Sequence, residues 1–195
     1  MNNKKYVYLS ANDVANIKQS YYDEIYNIKK LINDSERQSS ILNSSIIDID
    51  KELNYTKLAI KNTIFLIREL DNNIDLEDDE VNKLEQSVNS KSQVTSDKLA
   101  TLRFKIAKLE EMRSNLIMLE EKLKSLINRK EELIRNKRNS KKNIKIIYKN
   151  LEIYKDNISL LHSSLITLDD AFINSDGYIN EKKIKPKLKQ IKELR

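Results

Sequence analysis

An apolar residue recurs at every seventh position through most of this chain, and that repeat limits what the chain can fold into more than any other feature. Stepping by seven from Ile25 gives Ile32, Ser39, Ile46, Leu53, Ile60, Ile67, Ile74, Val81, Val88, Thr95, Leu102, Leu109, Leu116, Leu123, Lys130, Lys137, Ile144, Leu151, Ile158, Leu165 and Phe172. Eighteen of these 22 residues are apolar, where a 39% hydrophobic composition gives about 9. A second series three residues on is also largely apolar. It includes Tyr21, Ile28, Leu42, Ile49, Leu70 and Leu84, then Met112, Leu119, Leu126, Leu133, Ile147, Tyr154, Leu161 and Leu168. Positions spaced three and four apart lie on one face of a helix, and sustained over many heptads they form the a and d seam of a coiled coil.

Turn chemistry points the same way. One glycine (Gly177) and one proline (Pro186) leave almost no material for hairpins or strained loops, so sandwiches, barrels and doubly wound sheets are excluded. The fold expected is all-α: an elongated coiled coil of long helices with a short C-terminal amphipathic helix. The order along the chain is an N-terminal extension over 1–10, a long-helix region over 11–173, and a turn with a basic tail helix over 174–195. Polar stretches rich in Asn, Asp, Ser, Lys or Arg mark possible breaks near 33–40, 71–80, 89–97 and 135–143. The seven-residue phase survives the first three, which favours a continuous rod over a hairpin turning at 135–143.

Ser10 with Asp13 three positions later fits a helix start. Asp176-Gly177 fits a turn that ends the long helix with glycine at positive φ. Beyond it, Ile184, Leu188, Ile191 and Leu194 are spaced as on a basic amphipathic helix from about Pro186, suited to docking or to an anionic membrane surface.

A narrow apolar stripe cannot stabilise a lone helix, so it must be covered. The candidate interface is Leu102, Leu109, Met112, Leu116, Leu119, Leu123, Leu126, Ile144, Ile147, Leu151, Ile158 and Leu165. Its partner is a second copy of the chain, with a dimer expected, or a helical partner protein. Ile at a with Leu at d leans towards two parallel strands, but leucines at a from 102 to 123 blur the preference and leave orientation open.

Charge is unevenly spread. The net charge is +6, yet residues 67–90 carry eight acids against two bases, residues 122–149 eleven bases against two acids, and residues 181–195 seven bases against two acids. Lys130, Arg135, Lys137, Arg138, Lys141, Lys142 and Lys145 form a candidate basic surface for an acidic partner or for nucleic-acid phosphates. Aromatic residues do not interleave with these bases as they would on a base-stacking platform, so nucleic acid is the alternative reading.

No chemistry of catalysis assembles. The single His162 lies beside the seam without a triad partner, and the carboxylate pairs Asp78/Asp79 and Asp169/Asp170 fit exposed helix positions. One glycine cannot build a phosphate loop. The segment around Asn174, Asp176, Gly177 and Ile179 resembles the middle of an EF-hand loop, but Phe172 and Lys183 stand where the first acid and the closing glutamate belong. No catalytic residue, cofactor or metal is expected. Without cysteine there are no disulfides. The first ten residues are too short an apolar patch for a signal peptide, and no long apolar run spans a membrane. The expectation is a soluble cytoplasmic protein, with export by a route lacking a cleaved signal still open.

Overall fold

The structure, a computed structural model, describes residues 6–89, 96–184 and 186–194. Strand β1 (Tyr6–Tyr8) leads into helix α1 (Ala11–Asn89); helix α2 (Ser96–Asn174) is followed by strand β2 (Tyr178–Asn180) and the short helix α3 (Glu181–Ile184). The expected breaks at 33–40, 71–80 and 135–143 are helical throughout. The seam runs through these stretches and holds them helical: Ser39 at an a position and Glu77 at a d position are buried although polar, as are Thr56 and Thr63 at d positions between them. Thr56 directs its hydroxyl to the Glu52 carbonyl at 2.8 Å, which satisfies it inside the helix. Only the expected break at 89–97 coincides with helix ends, and its residues 90–95 lie outside the described ones.

The chain divides into two units, Met1–Ile47 with Arg138–Arg195, and Asp48–Lys137. In both, α1 packs antiparallel on α2, so the seam is covered within the same chain, where the sequence favours a continuous rod. In the first unit Tyr21, Ile25 and Ile28 pack with Ile147, Leu151, Tyr154, Leu161 and Leu165. In the second, Ile74 and Val81 pack with Leu109, flanked by Leu70, Leu102, Ile106, Met112 and Leu116. The ion pairs fix the direction: Glu52 meets Arg129, and further along α1 Glu77 meets Lys105. An aliphatic seam does not specify whether its cover is another chain or the same one, so the heptads alone could not separate these arrangements.

The N-terminal extension is part of the first unit. Tyr6, Val7 and Tyr8 pair antiparallel with Asn180, Ile179 and Tyr178. Gly177, at φ +88°, turns the chain after α2, and its carbonyl accepts a hydrogen bond from the Leu9 amide at 2.8 Å. Leu9, Val14, Leu168 and Ile179 form a small core beneath this clasp, with Leu168 and Ile179 almost fully buried. Ser10 caps α1 as its sequence suggests: the Asp13 carboxylate accepts from the Ser10 amide at 2.9 Å, and the Ser10 hydroxyl accepts from the Asp13 amide at 3.2 Å.

The tail departs from expectation. Only Glu181–Ile184 is helical, and 186–194 runs without regular secondary structure. The helical spacing of its apolar residues is overridden by hydrogen bonds from α2, described next.

Candidate interaction site

Two buried asparagines make the most specific polar contacts in the first unit. Asn150 and Asn157 are one heptad apart on α2, each immediately before a seam leucine or isoleucine, and only 7% and 5% exposed. Each side-chain amide pairs with both polar backbone groups of one tail residue. Asn157 accepts from the Lys189 amide at 2.8 Å and donates to the Lys189 carbonyl at 3.0 Å. Asn150 accepts from the Lys192 amide at 2.9 Å and donates to the Lys192 carbonyl at 2.7 Å. A primary amide offers one acceptor and two donors, so each asparagine completes the pairing that a neighbouring strand would supply.

The spacing works because two rises match. Seven helical residues advance about 10.5 Å, and three extended residues advance about 10 Å. The tail between Lys189 and Lys192 must therefore be extended, and a helix there would draw the second contact several ångströms out of reach.

Around this pair of contacts the tail is anchored at further points. Leu188 packs on the main core of the unit. Lys189 pairs with Asp156 at 2.6 Å. The Tyr21 hydroxyl donates to the Ile184 carbonyl, and burial raises the Tyr21 phenol above its ordinary value. Asparagine is a weak helix former, so Asn150 and Asn157 do not stand out in the sequence as binding residues. The available signal was their recurrence, with Asn143, at heptad spacing beside the seam.

Of the residues assigned to a seam, Leu109, Ile144, Ile147, Leu151 and Leu165 are buried, and Leu102, Met112, Leu116, Leu119, Leu123, Leu126 and Ile158 are partly buried. They face the same chain. The basic surface is split between the units. In the second, Lys137 pairs with Asp50, while Lys130 and Arg135 have no ion pair among the described residues. In the first, Arg138, Lys141, Lys142 and Lys145 are exposed and likewise lack one. Lys142 and Lys145 share an open depression of about 740 Å³ with Lys192 and Glu193 of the tail. Two basic blocks far apart in sequence thus meet.

Three acids of the acidic block, Glu77, Asp78 and Glu80, are answered by bases of α2 within the second unit. Glu77, buried at a d position, meets Lys105 and Lys108, each at 3.0 Å, and Asp78 meets Arg113 at 2.7 Å. Lys108 and then Lys105 hold the Glu77 carboxyl below its ordinary value. Glu80, and after it Glu77, raise Lys105, and Glu52 with Glu132 raises Arg129. His162 is exposed, and Asp169 pairs with Lys18.

No helix among the described residues is long and apolar enough to cross a membrane. No protein-family model, curated protein or solved structure matches the chain.

Proposed function

We propose that this chain is a non-enzymatic structural or adaptor protein, an antiparallel coiled coil closed on itself that associates with a second copy through the outer face of its second unit. The observation that carries this reading is the large apolar side chains left outside the closed seam. Tyr55, Leu58 and Phe65 lie at helical spacing on α1 and are 74%, 56% and 58% exposed. Phe104 and Met118 are comparably exposed on α2.

A second copy suits this face because the same unit carries unanswered charge of both signs. Asp75, Asp79 and Glu85 on α1, and Lys122, Lys124 and Arg135 on α2, have no ion pair among the described residues. Two copies related by a two-fold axis can set one group against the other. Light scattering at about 100 μM should give at least twice the chain mass of 22.9 kDa, a concentration where a micromolar dimer is formed. The Leu58→Ser/Phe65→Ser chain should run at the single mass. A wild-type chain that stays at the single mass ends this reading.

The meeting of Lys142, Lys145 and Lys192 favours one other reading, binding of nucleic-acid phosphates. That reading requires binding to a DNA or RNA duplex that weakens steeply with salt and is lost in Lys142→Glu/Lys145→Glu.

A further inference from the structure

We propose that the groove of the first unit, floored by Asn150 and Asn157, is a docking site for an extended peptide, held in cis by residues 186–194. Its partner in trans is an extended segment with an apolar residue, a base directly after it, and an acid three residues after the base. This rests on the reading of the chain as a protein-binding molecule and names a site and partner class for it.

The groove reads backbone. The four hydrogen bonds of its asparagines engage only backbone N–H and C=O groups of the ligand, so they accept any extended sequence without proline at those two positions. Side-chain selection comes from three places. Leu188 packs against the core, and Asp156 pairs with the base at the next position. The third place disfavours the tail itself. Lys192 lines the same depression as Lys142 and Lys145, with Glu193 as its only acid. Like charges gathered there repel, and an acid at that position would turn repulsion into attraction.

The tail also fills the groove incompletely. Ile191 and Leu31 stay 48% and 44% exposed beside open depressions of about 400 and 500 Å³ that both of them line. The cis segment therefore holds its place through tethering, which supplies an effective concentration on the order of millimolar, more than through fit. A better-matched segment in trans can displace it.

The test uses two fluorescent peptides, one with the sequence of residues 186–194 and one with that sequence carrying Lys192→Glu, read by anisotropy against the full chain. A full-length Leu188→Ser chain loosens the tail and should bind the acidic peptide at least fivefold tighter than the native-sequence peptide. The wild-type chain should bind it at least tenfold more weakly than the Leu188→Ser chain does. Adding Asn150→Ala and Asn157→Ala should abolish binding, with helicity checked by circular dichroism. Hydrogen exchange on the wild-type chain gives an independent readout: the Lys189 and Lys192 amides should be protected, and Asn157→Ala, which removes the acceptor, should release Lys189. Equal affinities for the two peptides, binding that survives loss of both asparagines, or unprotected amides would each overturn the proposal. Self-association on the outer face is read separately by mass, so failure of one proposal is not failure of the other.

Discussion

At Gly177 the backbone lies at φ +88°, and a Cβ placed there would stand 2.8 Å from the Leu9 carbonyl oxygen and 2.9 Å from the Tyr8 ring. Both the conformation and the space exclude a side chain. Gly177→Ala should cost more than about 1 kcal/mol, the gain such a change gives where the conformation permits it. Thermal melting should show the loss, with a faster-exchanging Leu9 amide. Leu168 makes the complementary case. It has no exposed surface, so Leu168→Ala should cost about 2–5 kcal/mol through lost burial and the cavity left behind. Gly177 was legible in sequence as the residue that ends the long helix. Its contact with β1 was not, because pairing between residues some 170 apart leaves no local pattern, and the Tyr-Val-Tyr run alone is too short to signal a strand.

The helices show which level of information a heptad carries. That α1 and α2 are helical, and that their a and d positions turn inward, could be read from the repeat, even where Ser39, Thr63 or Lys137 interrupts it. Direction and partner could not, since aliphatic residues pack as well on any neighbouring stripe. Direction is fixed by polar members of the seam, above all Glu77 against Lys105, because a shifted or reversed pairing would leave a buried carboxylate alone. Glu77 titrates below its ordinary value of 4.5 in the folded chain, so its contribution is complete above that pH and is lost as pH falls through the depressed value. Melting temperature should therefore drop on acidification below about pH 4.5, and the part due to Glu77 should be missing in Glu77→Gln. A variant with the same acid dependence as the wild type would remove Glu77 from the account.

For the molecule as a whole, the main consequence of a seam covered in cis is that folding does not need a second chain. The Leu58→Ser/Phe65→Ser chain should keep its full helical circular dichroism signal when it loses its partner, and its melting temperature should be the same at 1 and 100 μM, concentrations that differ enough to shift an obligate dimer by several degrees. Loss of helix on dilution would show that the seam is shared between chains. The charge blocks were legible as blocks, whereas the meeting of Lys192 with Lys142 and Lys145 follows from an extended tail that its own periodicity disguised as a helix.

The two asparagine contacts also govern which length changes the chain tolerates. Deleting one residue between Lys189 and Lys192 shortens the reach by about 3.4 Å, enough to unseat one of the two amide pairs whichever way the segment slides. Lengthening the same stretch by three residues should restore both partners only if α2 gains seven at the matching place. The tail and the helix behave like two gauges engraved at different pitches and aligned at fixed marks, so an insertion in one has to be answered by an unequal insertion in the other.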